Sequence, residues 1–403
     1  MMFIGENLTN LRILYGYSRK QLSEKLGVTE QAVWQYENNY TSPKMMVVNE
    51  LKSIFEVKSK YFYETDVLQR YFKTNNIPFM NIAYRSKVIK VISKTQSEAK
   101  HVEFLDSFVN YLTAKLTHPT QKIIQLRDKV IEYLNTSSVD REEQIEEVAK
   151  MARKELSFQD NSNDQLMFLI EKSGVFIFEK SLGEDTDAYS LWTAQERPFI
   201  MLGNLKGSAV RRNFDLAHEL GHLLLHYRVE FTSLEKIEHK EIEHEANRFA
   251  SAFLLPEETF SLDFQTITRV TNPDAYTDLK TKWKTSLQVL AYRAENLGIL
   301  DAKSHRNFYA GLYRRDYLKK EPLDEIIPIQ RPQKVKSIID LNAEKGLIDM
   351  HMMVEKDWMV NIEFFHRMTG IDLDFFKRYM VDERDFGLDN IAYLSSATLN
   401  KKA

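Results

Sequence analysis

The pentad His218-Glu219-Leu220-Gly221-His222 constrains this chain more than any other feature. Around it Leu216, Ala217, Leu220, Leu223, Leu224 and Leu225 recur at helical spacing, so a helix is expected. On a helix His218 and His222 stand one turn apart and project their imidazoles toward one point, a clamp for a divalent metal ion. Glu219 lies about 100° around the helix, close enough to reach a water beside the ion but badly placed as a ligand, and is a candidate general base. Catalytic zinc usually holds three protein ligands, so the fold must bring another donor to the open side of the clamp.

The stretch from Glu241 to Pro256 can supply that donor. Ala246, Phe249, Ala250, Phe253 and Leu254 recur at helical spacing, and Pro256 stops the helix. Glu243 and Asn247 are four apart and share a face with Ala246 and Ala250, whose small side chains would let a second helix approach the first. Glu243 ranks first as third ligand and Glu245 second; His239 and His244 are further rivals, and Asn247 would hydrogen-bond a ligand histidine from behind. His226 reads as a helix-end histidine near the site. Arg211, Arg212 and His226 are nearby candidates for stabilising an oxyanion, and the sequence does not choose among them. The apolar run Pro198 to Leu202 reads as a strand, a candidate edge for pairing with an extended peptide. Gly174 to Phe178 reads as another strand, followed by a polar loop to about Ser190.

The amino terminus carries a second pattern. Leu8, Leu11 and Leu14 suit a first helix; Ser18 caps a second that ends at Gly27; Thr29 caps a third over Glu30 to Glu37; Pro43 precedes a fourth around Met46 to Phe55. Short helices with a glycine turn between the second and third make a helix-turn-helix. In that arrangement the third helix enters the major groove of double-stranded DNA. Thr29, Gln31, Ala32, Trp34 and Gln35 would face the DNA, with Gln31 and Gln35 the candidates for base contacts. Ser18, Arg19, Asn38 and Lys44 would hold phosphates at helix ends.

Two resemblances follow from these residues. The run from Arg211 to His222, together with Glu243 to Ala250 and the closing Leu254-Leu255-Pro256, resembles the ImmA/IrrE family of metallopeptidases over residues 141 to about 300. The resemblance implies a gluzincin-like site with His218, His222 and Glu243 as zinc ligands and Glu219 as base. Residues 5 to 64 resemble the XRE family of repressor-type DNA-binding domains, on Leu11-Arg12, Gly16-Tyr17-Ser18, Leu22, Leu26-Gly27-Val28-Thr29, Val33, Tyr36-Glu37-Asn38 and Pro43.

Charge is uneven along the chain. Residues 1–64 hold 8 basic against 7 acidic side chains, too neutral for tight binding to DNA by a lone domain, so a homodimer or help from elsewhere is expected. Residues 65–140 hold 11 against 7, including Arg85, Lys87, Lys90, Lys94 and Lys100, and read as a basic helical connector. Residues 141–260 hold 14 against 23, so this stretch is not expected to touch DNA. The chain of 403 residues has no cysteine, which excludes disulfides and thiolate metal sites. It has no apolar run of membrane-spanning length, and its start runs straight into the helix-turn-helix pattern without a signal peptide. No membrane association and a cytoplasmic location are expected.

The expected fold is mainly α with an α+β part. A helix-turn-helix domain of four to five helices covers 1–65, a basic connector 66–140, a zincin-like metallopeptidase domain with a small sheet 141–300, and a helical sensing or dimerisation module 301–403. The expected function is a DNA-binding transcriptional regulator with zinc-dependent endopeptidase activity, manganese being the alternative ion. Its substrate would be a partner repressor or the chain itself, upon an inducing signal. The alternatives are a transcription factor whose metal site is structural or senses a ligand, and an antitoxin-like partner-binding protein.

Overall fold

The computed structural model describes residues 2–65, 83–84, 92–117, 121–159, 161–180, 188–204, 207–227, 229 and 234–380. Of the basic residues named in the connector, Arg85, Lys87 and Lys90 lie outside the described residues. The chain divides into two compact units. One comprises Met1–Thr74, Ser107–Lys115 and Ile338–Ala403; the other comprises Asn75–Asp106 and Leu116–Ser337. The stretch 301–403, read from sequence as one helical module, is therefore split between the two.

The first unit begins with α1 (Gly5–Leu14), α2 (Arg19–Leu26), α3 (Glu30–Glu37) and α4 (Met45–Phe55), then a short 3-10 turn, Ser59–Phe62. Local chemistry sets these limits. Ser18 and Gln21 form a reciprocal capping box at the start of α2, and Gly27 ends it in the left-handed conformation at φ +62°. Thr29 Oγ1 accepts the Ala32 N–H at 3.1 Å and starts α3. Leu8, Leu11, Leu22, Val33, Val48, Leu51 and Phe55 form the core. A Cβ on Gly5 would lie 2.3 Å from the carbonyl oxygens of Tyr36 and Glu37, so only glycine allows α1 to start against the end of α3.

Residues distant in sequence complete this unit. Val57 bridges Val360, the Lys58 N–H donates to Met359 O at 2.8 Å, and the Asn361 N–H donates to Glu56 O at 2.7 Å. Arg367 forks onto the Glu56 carboxylate at 2.5 and 3.0 Å. Fully buried Trp358 meets Phe108 and Phe365 edge-on.

The second unit is built from β1 (Ala83–Tyr84), α5 (Ile92–Thr113, up to Asp106), α6 (Lys122–Thr136), α7 (Arg141–Glu155), α8 (Leu166–Ser173), β2 (Phe176–Lys180), β3 (Ala188–Trp192), β4 (Pro198–Gly203), α9 (Ala209–Leu225) and α10 (Lys236–Leu254). Shorter helices follow from Glu257. The sheet runs β1-β3-β4-β2; β2 and β4 are parallel, and the other two pairs are antiparallel. The run Pro198 to Leu202 is thus an interior strand, not an edge. Both of its sides are already hydrogen-bonded, to β3 and β2, so no peptide can pair with it. The segment read as loop to about Ser190 ends inside β3 (Ala188–Trp192), whose five residues are all buried.

The helices α7, α9 and α10 pack on one another beside this sheet. Ile145, Val148, Ala149 and Ala152 of α7 join Leu216, Leu220, Leu223 and Leu224 of α9 and Phe249, Ala250 and Phe253 of α10 in one apolar core. Glycine again permits a close crossing: a Cβ on Gly221 would sit 2.8 Å from Phe249 Cδ1. Among the described residues no helix is long and apolar enough to cross a membrane.

Candidate metal centre and nucleic-acid interface

The fold brings His218 and His222 of α9 together with Glu243 of α10. His218 Nε2 lies 3.0 Å from His222 Nε2, and each is 3.5 Å from a Glu243 carboxylate oxygen. Both histidines are buried, while Glu243 keeps partial exposure. Burial alone would raise the Glu243 pKa, but hydrogen bonds and charge from the two histidines hold it well below the usual carboxylate range.

The donor set fits a zinc-type ion. Bonds of about 2.0–2.1 Å in tetrahedral geometry put ligand atoms about 3.3–3.4 Å apart, and the observed 3.0 and 3.5 Å bracket that value. Two borderline imidazole nitrogens and one hard carboxylate oxygen suit zinc and also admit manganese.

The surroundings orient the donors. Asn247 Oδ1 is 3.0 Å from His218 Nδ1, which leaves Nε2 of that ring as the one aimed at the cluster. Glu219 is 1% exposed, and Ser190 Oγ of β3 donates to its Oε2 at 2.7 Å. Glu245, the rival third ligand, is turned away: it is held by Arg141 at 2.6 and 2.8 Å and by His226 Nε2 at 3.0 Å. His226, besides contacting Glu245, lies with its Nδ1 2.9 Å from His222 Nδ1. Its burial pushes the imidazole pKa down to about 4, against the opposing pull of Glu245. His239 and His244 are outside the cluster of three donors.

The candidate oxyanion donors are differently engaged. Arg212 is buried on Glu179 and Gly203 O, and Arg211 donates to Leu318 O at 2.9 Å. Sequence reasoning missed Ser190 and Arg141. Neither carried a signal, since each acquires its partner only through packing, 29 residues from Glu219 and 104 from Glu245.

On the first unit, Thr29, Gln31, Trp34, Asn38 and Lys44 are exposed, and Ala32 and Gln35 are half-buried. Trp34 stacks on exposed Tyr40 with ring centroids 5.0 Å apart, an aromatic pair that sequence reasoning did not single out. Ser18 is committed to capping, and the Asn38 amide donates to Trp34 O at 2.8 Å. Arg19 pairs with Glu37 at 2.6 Å, and Arg12 pairs with the same carboxylate, which is almost fully buried between the two guanidiniums. Arg19 thus reaches a phosphate only by sharing its charge with Glu37.

Comparison with known proteins agrees with this division. Residues 8–62 match the helix-turn-helix family, and residues 170–295 match the IrrE N-terminal-like domain of a peptidase family. No curated protein matches the chain. The chain therefore joins an XRE-type helix-turn-helix domain to a metallopeptidase-family domain of the ImmA/IrrE kind.

Proposed function

We propose that the chain is a DNA-binding transcriptional regulator whose second unit is a zinc-dependent endopeptidase, acting on a partner repressor or on itself when induced. The observation that carries this reading is the convergence of His218, His222 and Glu243 on one point, with Glu219 next to His218 on α9, buried and held by Ser190. His218, His222 and Glu243 would hold a divalent ion, with Asn247 behind His218. When bound, such an ion supplies Lewis acidity toward a water and a scissile carbonyl.

The chain's own groups supply the rest. Glu219 accepts the proton of the attacking water and returns it to the departing amine, so that one carboxylate serves as base and then as acid. Ser190 Oγ, donating to Glu219 Oε2, would hold the carboxylate in place for that transfer. In the first unit Gln31 and Gln35 would read base edges; Thr29, Ala32 and Trp34 would line the groove; and Ser18, Arg19, Asn38 and Lys44 would meet phosphates.

The deciding experiment is Glu219→Gln in the full chain, with metal content, DNA binding and cleavage of candidate partners measured together. Loss of cleavage with metal and DNA binding intact is the expected result. Regulation that survives the substitution would sink the enzymatic account and favour a structural or sensing metal site.

A further inference from the structure

The two ligand imidazoles are backed in different ways. Behind His218 stands a neutral amide, Asn247 Oδ1 at 3.0 Å. Behind His222 stands a chain of three side chains: His222 Nδ1 to His226 Nδ1 at 2.9 Å, His226 Nε2 to Glu245 Oε2 at 3.0 Å, and Glu245 to Arg141 at 2.6 and 2.8 Å. Hydrogen-bond valence fixes the direction of that chain. His222 Nε2 faces Glu243 and His218, so to bind a cation it must carry a lone pair and its proton must sit on Nδ1. That N–H donates to His226 Nδ1, which is then the acceptor nitrogen of its ring. The His226 proton is therefore on Nε2 and donates to Glu245 Oε2. Arg141, first residue of α7, closes the chain with a two-pronged grip that holds the Glu245 carboxyl group in place.

We propose that His226, Glu245 and Arg141 form a positioning relay that fixes the tautomer of His222 and raises the electron-donating power of its Nε2 toward the bound ion. The inference rests on the metal-binding reading of His218, His222 and Glu243. It assigns a role to a histidine, a carboxylate and an arginine that lie outside the ligand set, and it makes the two ligand histidines unequal. A carboxylate at the end of a chain of polarised hydrogen bonds pushes electron density toward the metal-facing nitrogen, whereas an amide carbonyl does so only weakly. His226 is buried, with its two ring nitrogens facing His222 and Glu245 respectively, so it conducts that influence without being a ligand.

The test is metal affinity, measured on the full chain by competition between a chromogenic chelator and the protein for zinc, and again with cobalt, whose visible absorption reports the donor strength of its ligands. His226→Ala and Glu245→Gln should each weaken zinc binding by about 10- to 100-fold, the range for partners behind a ligand histidine. The two changes combined should do no more than the stronger one alone, because they interrupt one chain. Arg141→Met, at a half-exposed side chain that the core does not use, should weaken binding several-fold and shift the cobalt bands in the same sense; Arg141→Lys should restore part of the loss. Asn247→Ala should add in full to any of these. Affinities within twofold of the unaltered chain, or full additivity between His226→Ala and Glu245→Gln, would overturn the relay while leaving the metal site standing. Failure of the unaltered chain to take up either ion would instead overturn the metal reading itself.

Discussion

Ser190 Oγ lies 2.7 Å from Glu219 Oε2, and this contact ties β3 of the sheet to α9, the helix that carries His218 and His222. Both residues are almost wholly buried, so the hydroxyl gives the carboxyl group a partner away from bulk water. Ser190→Ala should lower unfolding free energy by about 1–3 kcal/mol, the cost of removing one partner from a buried polar group. Zinc stoichiometry should stay unchanged. Urea unfolding with metal analysis on the same samples checks both; unchanged stability would mean that Glu219 finds another partner at no cost.

The crossing of α9 and α10 depends on Gly221. Adding a methyl there brings it 2.8 Å from the Phe249 ring, which is itself enclosed by the core. Gly221→Ala should cost about 1–3 kcal/mol, as overpacking does, and should weaken zinc binding by separating Glu243 from the two histidines. Adding Phe249→Leu to Gly221→Ala should recover part of both losses. Thermal unfolding and chelator competition on the single and double variants provide the comparison, and a double variant worse than either single would refute the close-packing argument.

Much of this was legible in sequence, for identifiable reasons. Gly27 and Thr29 mark the turn of the helix-turn-helix through left-handed geometry and a side-chain cap, both local effects. The apolar spacing of α9 and α10 is equally local. What sequence does not display is decided over distance. The all-buried β3 has no alternation of polar and apolar residues, so it read as the end of a loop. Glu243 and Glu245 are two residues apart and project about 200° apart on a helix; only the packed structure tells which side meets the histidines and which meets Arg141. The joining of residues 338–380 to the helix-turn-helix unit rests on contacts such as Glu56 with Arg367, 311 positions apart, and no periodicity announces it.

The interface of the first unit predicts two kinds of defect on DNA. Gln31→Ala removes a side chain suited to an adenine edge; it should cost about 1–3 kcal/mol on a selected operator and relax preference at one base pair. Lys44→Ala removes a point charge at the start of α4; it should weaken all sequences alike and reduce the salt slope of log K by about 1. Fluorescence anisotropy at several salt concentrations, on operator and scrambled duplexes, separates the two. Equal loss on both duplexes for Gln31→Ala would remove it from base recognition.

Acid sensitivity should arise in part away from His218, His222 and Glu243, at Glu98 on α5. Its carboxylate is buried, accepts Lys180 Nζ at 2.9 Å and the Tyr189 hydroxyl at 2.8 Å, and stands near His101, which also contacts Lys180. Burial alone would raise its pKa, but the charges of Lys180 and His101 and the two hydrogen bonds bring it below the ordinary glutamate value. A carboxylate whose folded pKa is depressed contributes stability that is present above its unfolded pKa and lost as pH falls through the folded one. The unaltered chain should therefore lose unfolding free energy as the medium is acidified below the ordinary glutamate range. Glu98→Gln should be less stable at neutral pH, because Lys180 keeps its charge without a counter-charge, and should have a flatter slope of stability against pH in the acid range. Urea titrations from neutral to acid pH on both proteins test this, and parallel curves would show that the Glu98 cluster has no part in the acid response.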